Sequence, residues 1–279
     1  MTTHPIHKKS LFDIAFLTLI FVACSPNLQS KNELQPTALM KHETKWLVEA
    51  LEKAHYSKVS IKNLDRDGFI DHYLKKLDNQ KLYFINSEVE GFKKSYEPTL
   101  VTYFEQGNLF PGFEIYNSYK TNSLKRIKWA IEFLTEYPKL DSNRTYAPDR
   151  TELNWASSVD ELDETWKNLI TFEFLNETLA KLDTNETLDD ISDSNLTSAK
   201  QESQKVLLKR YSRWQKNLEE FEAGDVQELY LTALTQMFDP HTTFMNLKEK
   251  EKFDQQMNNE FVGIGARLSD EDGYCTIKG

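Results

Sequence analysis

Five consecutive residues, Asp239-Pro240-His241-Thr242-Thr243, place a carboxylate, an imidazole and two hydroxyls in one short stretch of chain. An aspartate beside a histidine can do general acid–base work when both side chains point into one site. The same residues also suit a turn, because Pro240 cannot continue a helix and the hydroxyls can satisfy freed backbone groups. No nucleophile or metal partner is visible for His241, so the turn is the favoured reading and the catalytic pair the minor one. Further on, Phe261-Val262-Gly263-Ile264-Gly265-Ala266-Arg267-Leu268 sets an apolar residue between two glycines. Gly263, Ile264 and Gly265 would let the backbone bend sharply and expose amides to a ligand. A tight turn is the default for such a triplet, and Arg267 reads as an exposed strand arginine that could add positive charge nearby.

Other chemistry is not spelled out. The chain has no His-Glu-x-x-His, no Gly-x-Ser-x-Gly and no phosphate-cradling glycine loop. Asp65-Arg66-Asp67-Gly68 starts like a calcium loop, lacks the later ligands, and reads as a helix-start turn. The two cysteines, Cys24 and Cys275, cannot build a disulfide framework or a cysteine-rich metal site. No metal and no cofactor are expected. The net charge of −10 repels phosphate backbones, so nucleic acid is not an expected partner. Lys205, Lys209, Arg213 and Lys216 share one helical face; a solvated or internally paired face is the favoured reading, and docking of an acidic partner the minor one.

At the amino end, Lys8 and Lys9 precede an apolar run from Ile14 to Ala23 that is too short to span a bilayer of about 30 Å. Residues 1–23 therefore read as a secretion signal. Phe21-Val22-Ala23-Cys24 resembles a bacterial lipoprotein processing box, in which Cys24 is acylated and becomes the first mature residue. Phe21 stands where leucine is usual, and an ordinary signal peptide with a chance cysteine is the alternative. Lipidation is the favoured reading. It would anchor the protein to a membrane, and Ser25 after the cysteine favours the outer one. The expected location is the periplasm, with residues 24–40 as a tether.

Beyond the tether the punctuation is helical. Ile70, Tyr73, Leu74 and Leu77 make an amphipathic pattern, and Ser87 to Glu90 reads as a capping box. Tyr116, Leu124, Ile127, Ile131 and Leu134 predict a long helix closed by Pro138. Ser158 to Glu161 predicts a second capping box before Leu162, Trp166, Leu169 and Ile170. Leu207, Tyr211, Trp214, Leu218 and Phe221 predict another helix with Gly224 as its carboxyl cap, and Asp225 to Glu228 predicts the start of the next, through Leu229, Ala233 and Met237. Residues 139–154 and 184–197 read as exposed loops. The fold expected is mainly α: an irregular helical bundle over residues 41–258, followed by a β hairpin. In the hairpin, the segment through Leu268 turns at Asp270 to Gly273 and returns through Tyr274 to Ile277.

The wording of these segments resembles the tail-specific, or carboxy-terminal-processing, proteases of bacteria. Three landmarks carry the likeness in order. The first is Tyr73 to Asp78 followed by Tyr83-Phe84-Ile85-Asn86-Ser87-Glu88-Val89. The second is Asp149-Arg150-Thr151 leading to Trp155 and Glu161-Leu162-Asp163-Glu164-Thr165-Trp166. The third is the junction from Phe238 to Phe244 and on to Leu268. The resemblance implies an amino-terminal helical domain that hands over at residues 259–279 to the incomplete start of a PDZ domain. There, Gly263-Ile264-Gly265 would begin the loop that binds a peptide's terminal carboxylate. It implies a periplasmic serine endopeptidase that recognises carboxyl-terminal tails of substrates and cleaves with a serine–lysine pair in a domain after the PDZ domain. Residues 1–279 are accordingly expected to be non-catalytic on their own. The alternatives are a lipid-anchored helical binding or adaptor protein with no protease role, and an enzyme with an unrecognised site. A lipoprotein adaptor is a further expected partner.

Overall fold

The computed structural model describes residues 33–139, 145–182, 192–258, 267–271 and 274–278. Its order is α1 (Ala38–Lys53), α2 (Arg66–Leu77), α3 (Asn86–Tyr96), α4 (Leu100–Glu105), α5 (Phe110–Thr135), α6 (Val159–Lys181), α7 (Asp193–Glu219), α8 (Ala223–Gln236), α9 (Leu247–Asn258), β1 (Arg267–Glu271) and β2 (Tyr274–Lys278). The described protein is mainly helical, as the periodicity predicts. The two short strands pair antiparallel, with Leu268 opposite Ile277 and Glu271 opposite Tyr274.

Two apolar clusters share α5. In the first, α1, α2, α3, α4, α8 and the start of α5 close around Tyr230. Phe69, Phe104 and Tyr73 surround its ring with centroids 5.3, 5.3 and 4.8 Å away. Gly112 lets α5 come this close, since a Cβ there would lie 2.4 Å from Tyr230 Cγ. In the second, the later part of α5 packs with α6 and α7 through Ile127, Leu134, Trp166, Ile170, Phe174, Leu207 and Tyr211. At 26 residues, α5 is about 39 Å long, enough to serve both clusters.

The helix ends show which local signals acted as expected. Asp65 caps α2, its Oδ1 accepting from Gly68 N–H at 3.1 Å, and Ser158 caps α6 through Glu161 N–H at 3.2 Å. At α3 the reciprocal bond comes from Glu88, which reaches back to Ile85 N–H at 2.9 Å, so the helix begins at Asn86 and Ser87 is not its cap. Gly224 does not cap α7. That helix ends at Glu219, and Gly224 lies in the first turn of α8, where Asp225 accepts from Glu222 N–H at 2.8 Å. Polar residues 193–197 are helical as well, because Ser192 caps α7 at 3.2 Å through Asn195 N–H. Helix α1 begins at Ala38 behind its cap Thr37, three residues before the expected start of the bundle, and Leu34 is tied to Asn117 by two bonds of 3.0 and 2.9 Å.

Candidate functional site

The first two sequence landmarks, some seventy residues apart, meet in space around Asp78. Asp78 is 2% exposed, and its carboxylate accepts the N–H groups of Leu82, Tyr83 and Phe84 at 2.7, 2.8 and 3.1 Å. Burial pushes its pKa above the ordinary aspartate value, while those three donors and the Arg150 charge pull it back. The loop so formed is locked to the second landmark. Lys81 Nζ donates to the Thr151 carbonyl at 2.7 Å and also to that of Leu153, and lies 5.9 Å from the Trp155 ring centre. Arg150 N–H donates to Gln80 Oε1 at 2.8 Å, and Asn86 N–H to the Ala156 carbonyl at 2.8 Å. Trp166 Nε1 closes the cluster by donating to the Leu82 carbonyl at 2.6 Å. The end of the loop expected over residues 139–154 is exposed at 149 and 152–154, yet it is anchored through the backbone of Arg150, Thr151 and Leu153. Asp78, Lys81 and Arg150 all bond backbone groups, so the chemistry of the cluster is that of a brace.

The third landmark forms the turn that is the favoured reading of its sequence, with Thr242 N–H donating to the Asp239 carbonyl at 2.9 Å, and the minor reading, a His241–Asp239 pair, does not form. His241 is exposed. The imidazole that meets this segment is His55, from the turn after α1. His55 Nε2 is 3.1 Å from Thr242 Oγ1, and Thr242 Oγ1 donates to Asp239 Oδ2 at 3.2 Å. On the other side of the ring, Nδ1 is 2.7 Å from Ser57 Oγ and accepts Ser57 N–H at 3.3 Å. Tyr56 and Phe238 pack against the ring with centroids 4.7 and 6.1 Å away.

Ser57, His55, Thr242 and Asp239 thus make a hydroxyl–imidazole–hydroxyl–carboxylate chain that looks like a nucleophile with its base. Ser57 N–H donates to Nδ1, which leaves Nε2 as the nitrogen that donates to Thr242. The bare Nδ1 also accepts from the Ser57 hydroxyl at 2.7 Å, so the ring is bonded on both sides and joins the turn after α1 to the junction.

From Asp239 the backbone turns and runs back along α8. Residues 242, 244 and 246 face inward while 241, 243, 245 and 247 are exposed, the two-residue alternation of an extended chain. Thr235 Oγ1 donates to the Thr242 carbonyl at 2.9 Å. Thr232 Oγ1 donates to the Phe244 carbonyl at 3.1 Å and accepts its N–H at 3.3 Å. Glu228 Oε2 accepts Asn246 N–H at 3.2 Å, and Asn246 Nδ2 reaches the Gly224 carbonyl at 3.5 Å. The spacing of Gly224, Glu228, Thr232 and Thr235 is that of one helical stripe. Asn246 then starts α9, its Oδ1 accepting Glu249 N–H at 3.0 Å.

Gly263, Ile264, Gly265 and Cys24 lie outside the described residues. On α7, Lys205, Lys209, Arg213 and Lys216 are exposed; Lys216 sits 3.7 Å from Glu220, and Arg210 binds Glu177 at 3.3 Å. Among the described residues no group of three or more His, Cys, Asp or Glu is placed to hold a metal ion, and no helix is long and apolar enough to cross a membrane. Sequence reasoning missed His55 and the α8 threonines. The in–out alternation of Thr242, Phe244 and Asn246 was the available signal.

Comparison with known proteins agrees with this layout. A family model described as "Tail specific protease N-terminal domain" matches residues 47–248, taking in the end of α1, all the helices from α2 to α8, the brace and the extended segment that runs back along α8. The chain is 24% identical over 235 residues to the tail-specific protease of Haemophilus influenzae (strain ATCC 51907 / DSM 11121 / KW20 / Rd). That alignment covers 84% of this chain and 32% of the relative, so the chain spans about a third of that protein's length. With more than half of its residues matched by the family model, the chain belongs to the tail-specific protease N-terminal domain family.

Proposed function

We propose that this chain is the amino-terminal helical part of a periplasmic tail-specific serine endopeptidase, and that its own residues hold and orient without cutting. The observation that carries the reading is the match of residues 47–248 to the tail-specific protease N-terminal domain, the helical part that holds the brace and the extended segment along α8. Residues after α9 would begin a PDZ domain, with Gly263, Ile264 and Gly265 presenting amides to the carboxyl-terminal tail of a protein substrate. Hydrolysis would belong to a serine–lysine pair outside residues 1–279. Cleavage of a signal at residues 1–23, acylation of Cys24 and a tether to the outer membrane complete the proposal, and a lipoprotein adaptor is a proposed partner.

The test is to incubate the purified chain with an unstructured protein bearing an apolar carboxyl tail. No cleavage is expected. Cleavage that is abolished by changing one of this chain's own side chains would refute the reading. Labelling cells with a radioactive fatty acid should mark the wild type and leave Cys24→Ser unmarked; equal labelling of both would refute the anchor.

A further inference from the structure

We propose that His55 is a positioning residue: through Thr242 it fixes the register of the Asp239–Asn246 strap on α8, and so determines where α9 starts. The inference rests on the hydrogen bonds alone and does not depend on the protease reading.

Strap and helix are nearly commensurate. Two residues of extended chain advance about 6.6 Å, while three or four residues of helix advance about 4.5–6 Å. Bonds therefore recur from Thr235 to Thr242, from Thr232 to Phe244 and from Glu228 to Asn246. A slide by one residue would turn Phe244 out of the first apolar cluster, where it is packed, and is forbidden by that burial. A slide by two is a different matter. The Thr235 and Thr232 hydroxyls bond backbone groups of the strap, and every second residue offers the same groups.

Side chains distinguish one two-residue register from the next: Phe244 in the apolar cluster and Thr243 Oγ1, 3.3 Å from Thr232 Oγ1, in the middle, and further polar bonds at the two ends. At the far end, the Asn246 side chain reaches the Gly224 carbonyl and caps α9. At the near end, His55 Nε2 meets Thr242 Oγ1, and the same hydroxyl holds Asp239. The His55 ring is itself held by Ser57 and flanked by Tyr56 and Phe238, so it offers one fixed donor to one residue of the strap. The element placed this way is a helix with two internal ion pairs, Lys250 with Asp254 and Lys252 with Glu249, and one back to the start of α8, Lys248 with Glu222 at 4.0 Å. Its direction depends on where its first residue is pinned.

The experiment is residue-resolved hydrogen exchange on the 279-residue chain carrying His55→Ala, Thr242→Val, both together, or His55→Gln. In His55→Ala and in Thr242→Val the Phe244 and Asn246 amides should exchange about tenfold faster, while the amides of Tyr230 and Leu231 inside α8 keep their protection. The double variant should be no faster than Thr242→Val alone, because that change already removes the tie to His55. His55→Gln, which can still present an N–H, should recover part of the protection. Unchanged exchange at Phe244 and Asn246, additive effects in the double variant, or a uniform rise across the bundle would overturn the proposal. If His55→Ala does not fold, Thr242→Val, an isosteric change at a half-buried position, decides the question alone.

Discussion

Replacing Asp78 by alanine removes the acceptor of three buried N–H groups at once, those of Leu82, Tyr83 and Phe84. Each donor left without a partner costs about 1–3 kcal/mol. Part of that is offset, because burying the Asp78 carboxylate is itself unfavourable, as its raised pKa records. The net expectation is a loss of about 3–5 kcal/mol, a large share of the roughly 5–15 kcal/mol that holds a typical domain together. With a urea m-value of about 3 kcal/mol per molar, the midpoint should fall by about 1–1.7 M. Asp78→Asn keeps one oxygen acceptor and should lose less. The assay is urea unfolding followed by tryptophan fluorescence, for which Trp155 and Trp166 lie beside the affected loop. A midpoint shift below about 0.3 M for Asp78→Ala, at unchanged m-value, would refute the view that this carboxylate organises the meeting of the two landmarks.

Three other perturbations follow from the packing and the charges. Gly112→Ala and Gly91→Ala should move stability in opposite directions: the first drives a methyl to 2.4 Å from Tyr230 Cγ and should cost about 2–3 kcal/mol, whereas nothing lies within 4 Å of a Cβ at Gly91 and the helix should gain about 0.5–1 kcal/mol, both read from thermal unfolding. Trp166→Phe removes the donor to the Leu82 carbonyl and part of a fully buried ring, and should lower stability by about 2–4 kcal/mol in the same urea assay. Burial raises the Glu173 pKa against the pull of its bond from Tyr211 and the Arg210 charge, so the stability tied to its proton is full below the unfolded value of about 4.3 and is lost as pH rises through the higher folded value. Glu173→Gln keeps an acceptor for Tyr211 and does not titrate. Its melting temperature relative to wild type should therefore improve from pH 4 to pH 7 and then level off; a decline over that range would contradict the assignment.

What could be read from the sequence was whatever acts over short separations. Asp65 and Ser158 each bond an amide three residues ahead, so their positions before an apolar run were enough to place the starts of α2 and α6. Gly224 misled because a glycine after an apolar run marks a helix end only if the chain leaves in the left-handed conformation; here Glu222 and Asp225 restart the helix around it. The start of α7 lacked periodicity because few of its first residues reach the core; of these only Ala199 and Ser203 are buried ahead of Leu207. His55 and Thr242 are 187 residues apart, and neither has a local pattern that names the other. The segment around Asp239 and His241 was read as a turn before a new domain. The turn is there, and the imidazole that matters comes from α1's end.

The most direct test of the account is the tautomer of His55, observed by nitrogen-15 NMR of the imidazole at neutral pH. The hydrogen bonds require a bare Nδ1 facing Ser57 and a protonated Nε2 donating to Thr242, a ring that ties the end of α1 to the strap. A proton on Nδ1 with Nε2 bare would leave Thr242 without its donor, and would contradict the place of His55 in holding this junction.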